Sequence, residues 1–235
     1  MSIEDEFIST VSHEMRTPLT SIRGFSQTLL SSWDRIDDEN KKKFIKIIEE
    51  QSNRLINLVE NILTVSRSNV QNLVMKKVFV NASILSIIPM FQEQYKTHKI
   101  IFSPQKDLPP VRLDDDKFQQ IMTNLIDNAC KYSPEFSTVT ISTEEKKESV
   151  IIKIKDQGIG IKKEDFDKLF KKFSRIENHL TSKTQGNGLG LYITKSLVEL
   201  LNGEISFYSE EGKGTTFILK FPIYNEEEAL KCFQK

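Results

Sequence analysis

Phe7-Ile8-Ser9-Thr10-Val11-Ser12-His13-Glu14-Met15-Arg16-Thr17-Pro18-Leu19-Thr20 has the apolar spacing of an amphipathic helix. At 3.6 residues per turn, Ile8, Val11, Met15, Leu19, Ile22 and Leu29 fall along one stripe. His13 lies two positions from both Val11 and Met15, so it takes the opposite face with Ser9, Arg16, Thr17, Thr20 and Gly24. A histidine placed there is presented to solvent or to a partner. Glu14 follows it directly and is able to hydrogen-bond one ring nitrogen, which would leave the other more nucleophilic. Thr17, one turn on, shares its side of the helix. Pro18 removes the amide that would bond the Glu14 carbonyl, so the pattern predicts a bend beside His13.

A second helix carries Phe44, Ile48, Gln51, Leu55, Leu58, Ile62 and Val65 at alternating spacings of four and three, a heptad-like seam. Ser31 to Asp37 reads as the turn between the two, with Asp37 a candidate N-cap. Two such helices cannot bury their stripes alone. A dimeric four-helix bundle is the economical solution, and a hairpin packed onto the rest of the chain is the alternative.

The chain has 235 residues, enough for one or two domains with a real core. Its 33 basic residues balance 33 acidic ones, so net charge gives no argument for nucleic acid. Cys130 and Cys232 are far apart and lack metal-ligand spacing; reduced thiols are expected, with Cys130 in a helical core. His98 and His179 read as surface residues. No apolar run approaches the roughly 20 residues of a membrane span, and the acidic start lacks a signal-peptide profile. The first helical pattern begins almost at residue 1, which suggests a piece of a longer protein.

The texture divides the chain into a helical pair over 1–70, a linker over 71–77, a mixed domain over 78–225 and a solvated tail over 226–235. In the mixed part, Thr138–Ser142, Val150–Lys155, Ile205–Tyr208 and Thr216–Phe221 read as strands between helices. This predicts an α+β fold whose second domain is a sandwich of one sheet with helices on one face. Lys117 to Tyr132 is a helix with an apolar side (Phe118, Met122, Leu125, Ala129) and a polar ridge (Gln120, Asn124, Asn128, Lys131). Amide oxygens ligate Mg²⁺ and a lysine meets phosphate. A strand then ends in Asp156-Gln157-Gly158-Ile159-Gly160, where an acid at the strand mouth is placed to accept from an exocyclic amine such as that of adenine. Gly186-Asn187-Gly188-Leu189-Gly190-Leu191 opens a helix that stops at Gly203, and glycine-rich helix starts bind phosphate. Its spacing fits neither a dinucleotide fingerprint nor a Walker loop. Thr181 to Gln185 reads as a lid, preceded by Phe166, Leu169, Phe170 and Phe173 as core or docking anchors.

In this order the pieces resemble the catalytic core of two-component sensor histidine kinases. His13-Glu14-Met15-Arg16-Thr17-Pro18 is similar to that family's phosphoacceptor box, Asn124 to Lys131 to its N box, and Asp156 to Gly160 to its first glycine box. Phe170 to Phe173 is similar to its F box, Gly186 to Leu191 to its second glycine box, and Gly212-Lys213-Gly214-Thr215-Thr216-Phe217 to its closing motif. The resemblance implies a dimerising hairpin that displays the histidine and a Bergerat-type domain that binds ATP with Mg²⁺. It implies His13 as phosphoacceptor, with Glu14 orienting the ring and Thr17 serving a phosphatase activity toward the regulator. Asn128 would ligate Mg²⁺ with Asn124 nearby, and Asp156 would read adenine. Lys131, Tyr132, Gly158, Gly160, Gly186, Gly188, Leu189, Gly190 and Thr216 would line the nucleotide. The implied partners are a second copy of the chain and a response-regulator receiver domain, with no nucleic acid and no membrane contact by these residues. The implied setting is the cytoplasmic portion of a membrane-anchored bacterial sensor kinase.

Overall fold

The computed structural model describes residues 3–66, 73–172, 174 and 188–225. Gly186, Phe173, the lid over Thr181 to Gln185, His179, Cys232, residues 71–72 of the expected linker and the tail from 226 lie outside the described residues. The chain divides into two compact units, Met1–Ser68 and Asn69–Lys235.

The first unit is a helical hairpin: α1 (Ile3–Ser32), a short 3-10 turn (Trp33–Arg35) and α2 (Asp38–Ser66). Asp37 caps α2 by accepting the Asn40 amide at 2.8 Å and the Asn40 side chain at 2.7 Å, and these bonds hold its carboxyl below the ordinary range. The helix continues unbroken through Pro18, whose ring is buried. Pro18 and Leu29 are buried and Met15, Ile22 and Phe25 half-buried, so this seam shares Met15, Ile22 and Leu29 with the predicted stripe and adds Pro18 and Phe25. Leu19, expected inside, is 48% exposed. Phe25 meets Phe44 at 5.1 Å between ring centroids, and Leu58 is buried. Outside the seam, Leu19, Leu30, Ile45, Ile56, Val59 and Leu63 remain exposed.

The second unit is built on a five-stranded sheet in the order β2-β4-β5-β7-β6. Its strands are β2 (Lys99–Pro104), β4 (Thr138–Lys146), β5 (Ser149–Lys155), β6 (Glu204–Glu210) and β7 (Gly214–Pro222). β2 pairs parallel with β4, and the other pairs are antiparallel. Strand alternation sends Val139, Ile141, Val150, Ile152, Ile154, Phe217, Leu219 and Phe221 into the core. They meet the apolar sides of α3 (Val80–Gln94), α4 (Asp115–Lys131) and α5 (Gly190–Leu200). Phe118, Ile121, Met122, Leu125 and Ile126 of α4 are fully buried, and Phe118 meets Phe221 edge-on at 6.0 Å. Burying one such side chain is worth about 1.5–3 kcal/mol, so α4 is fixed to the sheet by packing.

Three elements differ from the sequence reading. Lys76 and Lys77, expected in the linker, belong to β1 (Lys76–Val78), which pairs antiparallel with β3 (Val111–Leu113). Lys99–Pro104 forms an edge strand, and its closing proline is tolerated where no further partner needs that amide. At the end of α5, Asn202 takes the left-handed conformation (φ 58°) in place of Gly203, whose amide donates to the Val198 carbonyl at 2.8 Å. No described helix is long and apolar enough to cross a membrane.

Candidate functional site

On α1, His13 is exposed, as the helical spacing requires. Thr17 is also exposed, and its hydroxyl donates back to the His13 carbonyl at 3.4 Å. The local sequence pairs Glu14 with His13, but the carboxylate also has a partner across the hairpin. Arg54 Nη2 on α2 donates to Glu14 Oε2 at 3.1 Å, with both side chains about three-quarters buried (26% and 23% exposed).

In the second unit, α4 is placed by its own N-cap. Asp114, 6% exposed, accepts the Lys117 amide at 3.1 Å and the Val74 amide at 2.9 Å. The ridge of α4 is half-buried rather than solvated, and its members have different partners. Asn124 Nδ2 donates to Thr194 Oγ1 on α5 at 2.7 Å, and Thr194 is 1% exposed. A Cβ at Gly190 would lie 2.6 Å from Asn124 Oδ1, so any side chain there would have to push the Asn124 amide aside. Asn124 is thus engaged in joining two helices. Asn128 makes no side-chain hydrogen bond among the described residues, which leaves its amide available to a ligand. The Lys131 ammonium pairs with Asp127 Oδ2 at 2.5 Å, and Asp127 Oδ1 accepts the Tyr95 hydroxyl at 2.5 Å. Burial, then that bond and the adjacent Asp127 charge, push the Tyr95 phenol well up.

Tyr132 ends α4 and is half-buried; its carbonyl accepts the Ile159 amide at 3.2 Å, so the loop after β5 rests on the helix terminus. Gly158 fits there without a side chain, and its amide donates to Asp156 Oδ1 at 2.8 Å. The Thr215 amide donates to the same oxygen at 3.0 Å. Asp156 is 6% exposed, and desolvation pushes its carboxyl up against the lowering effect of those two bonds. Its Oδ2 accepts no hydrogen bond among the described residues. Gly160 and Gly188 have positive φ (65° and 66°), and Leu189 is fully buried just before α5.

Thr216 requires a correction. It pairs with Lys155 on the sheet face away from Asp156, because strand neighbours alternate. Thr215, 7% exposed, takes the position beside the carboxylate, and its hydroxyl meets Ser209 at 2.8 Å. His98 is corrected too. It is half-buried, edge-on to Tyr95 at 5.7 Å, with Nδ1 3.2 Å from the Thr97 hydroxyl. Phe166 and Phe170 pack on Phe207 at 4.9 and 5.9 Å, and Leu169 is buried. The sequence reading missed Thr194, Thr215, Asp127 and Arg54. Thr194 had a signal, being the polar residue in the apolar stripe of Ile193, Leu197, Val198 and Leu201. Arg54 had none, since its partner is 40 residues away.

Two family models match the chain. The His Kinase A (phospho-acceptor) domain covers residues 3–70, and the histidine kinase-, DNA gyrase B- and HSP90-like ATPase covers 113–225. Sensor histidine kinase WalK of Bacillus subtilis is 36% identical over 95% of this chain, which spans 37% of WalK. Sensor protein SrrB of Staphylococcus aureus is 33% identical over 94% of the chain, which spans 38% of it. Among solved structures, the Acinetobacter baumannii histidine kinase AdeS superposes with a TM-score of 0.72 at 28% identity, covering 91% of this chain and 98% of that one. Histidine kinase ThkA in complex with response regulator protein TrrA gives 0.74 at 26% identity, covering 93% and 61%.

Proposed function

The chain belongs to the sensor histidine kinases, and we propose that it phosphorylates its own His13 from Mg-ATP and then passes the phosphoryl group to an aspartate of a response-regulator receiver domain. The observation that carries this reading is the Asp156 carboxylate. One oxygen is taken by two backbone amides, which fixes the group and leaves the other oxygen to accept from the exocyclic amine of adenine. A buried carboxylate with one unused oxygen at the mouth of a strand is suited to a neutral donor of that kind.

The rest of the site fits a triphosphate. Asn128, whose amide has no other partner, offers a hard oxygen ligand to Mg²⁺. Bound there, the ion would neutralise phosphate charge. Lys131 would reach the phosphates by exchanging Asp127 for them, and the amides at the start of α5, with Gly188, Leu189 and Gly190, would contact them; the glycine motif assigns Gly186 to the same role. A histidine ring nitrogen attacks the γ-phosphorus in line. A P–N bond forms, the bond to the bridging oxygen breaks, ADP leaves with that electron pair, and the proton on the other ring nitrogen passes to Glu14. The second step returns the ring to its starting form by transfer to the regulator's carboxylate.

Two further roles belong to the hairpin. Leu19, Ile45, Ile56, Val59 and Leu63 form an exposed apolar surface, which a second copy of the hairpin would bury as a four-helix bundle. Thr17, exposed one turn from His13, would orient water for dephosphorylation of the regulator. The chain spans 37% of WalK and 38% of SrrB, which fits the kinase portion of a longer sensor; that this portion is cytoplasmic and the sensor membrane-anchored is part of the proposal. The test is transfer of labelled γ-phosphate from Mg-ATP to the chain and to His13→Gln. Acid-labile, alkali-stable label, absent from the variant, is the expected result. ATP turnover without label would mean a Bergerat ATPase with no phosphohistidine, and would overturn the proposal.

A further inference from the structure

Glu14 stands next to the proposed phosphoacceptor, yet no contact among the described residues of its own helix fixes it. A glutamate has three side-chain torsions, and an acceptor that must meet one imidazole N–H loses effectiveness if it samples many of them. The hairpin supplies the missing constraint from its other helix. Arg54 Nη2 lies 3.1 Å from Glu14 Oε2, and neither side chain makes another ion pair among the described residues. Both are about three-quarters withdrawn from water, so the contact is a directed, charge-assisted bond rather than a screened surface pair. It occupies one carboxylate oxygen and leaves Oε1 for the ring.

We infer that Arg54 is a positioning residue for phosphotransfer: it holds the Glu14 carboxylate at the angle from which the remaining oxygen takes the His13 ring proton. The inference rests on the reading of His13 as phosphoacceptor and Glu14 as its proton acceptor. A guanidinium is suited to this task because its rigid fork fixes direction as well as charge, which a flexible ammonium does less well. An ion pair that only joined the two helices would instead act equally whether or not Glu14 took part in the chemistry.

The experiment measures initial rates of phosphohistidine formation against Mg-ATP concentration in the full chain. It compares wild type with Arg54→Ala, Arg54→Lys, Glu14→Ala and the Glu14→Ala/Arg54→Ala double variant. Arg54→Ala is expected to lower kcat about tenfold, short of the roughly 10²–10⁴ of a whole general base, with KM for ATP unchanged. Arg54→Lys should recover part of the loss. In the Glu14→Ala background, removal of Arg54 should cost nothing more. Equal losses with and without Glu14, or a rise in KM alone, overturn the inference. If Arg54→Ala does not fold, Arg54→Gln completes the same cycle. Label that persists in His13→Gln removes the underlying functional reading itself, an outcome separate from additive losses on a His13-borne label.

Discussion

Asp156 combines burial with a carboxylate whose folded-state pKa lies above its unfolded value. The sign follows directly. A charge that is harder to keep in the folded state lowers stability once the solvent pH passes from the unfolded value, 3.8, through the raised folded one. Asp156→Asn keeps an oxygen for the Gly158 and Thr215 amides and removes the buried charge. Thermal unfolding of this variant at pH 7 should therefore match or exceed wild type, with the difference shrinking as the pH falls toward 4. Nucleotide binding should move the other way, because the amide presents N–H where an exocyclic amine needs an acceptor. A loss of at least about tenfold in affinity for a fluorescent ATP analogue is expected, in keeping with 1.5–3 kcal/mol for a hydrogen bond to a charged group. A variant both destabilised and still binding would contradict both halves. Cys130 gives a simpler case. Burial and the nearby Asp127 and Asp156 push its thiol up to about 12, so it is protonated at pH 8. Peptide mapping after iodoacetamide should find Cys130 unmodified in the native chain and modified in urea.

The junction of α4 and α5 depends on three residues acting together. Gly190 leaves room for Asn124, Asn124 donates to Thr194, and Thr194 is 1% exposed. Gly190→Ala puts a methyl 2.6 Å from the Asn124 oxygen and must displace it. Urea unfolding should show a loss of about 1–3 kcal/mol, the cost of an unmade bond at a buried partner. Thr194→Val should cost a similar amount, and the two together should cost less than their sum because they remove one interaction. Strict additivity would show that the contact does not join the helices. This junction also shows where sequence reading stops. The apolar sides of α4 and α5 repeat every three to four residues and are legible without a structure, as are the four long strands. The short pair β1–β3 is not, since three-residue strands carry too little alternation and their stability comes from partners distant in sequence. The predicted stripe of α1 keeps Met15, Ile22 and Leu29, but Leu19 is exposed and Pro18, a helix breaker by local rules, is buried. The closing motif holds both Thr215 and Thr216, and only the register of β7 on β5 shows which one faces Asp156.

At the scale of the whole chain, the two units make separable demands. The second has a closed core in which Ile84, Phe91, Phe118, Ile141, Ile152, Ile154 and Phe221 are each 1% exposed or less. The hairpin does not close. Its seam buries Leu29 and Leu58, while Leu19 (48%), Ile45 (50%), Ile56 (54%) and Leu63 (42%) face outward on the same two helices. Apolar residues left out at helical spacing need a partner of matching shape, and the proposed second hairpin would supply it with the same residues. Ile56→Glu combined with Leu63→Glu should therefore reduce the mass measured by light scattering from twice 27.2 kDa to 27.2 kDa. The double variant should also lose much of its hairpin stability, seen as an early transition on heating. Affinity for the ATP analogue should stay within about twofold of wild type, because additivity holds for distant, independent sites. A dimer that persists in the double variant would place the subunit contact elsewhere. A monomer that no longer binds nucleotide would mean that the fold of the second unit depends on the first, against the separate cores seen here.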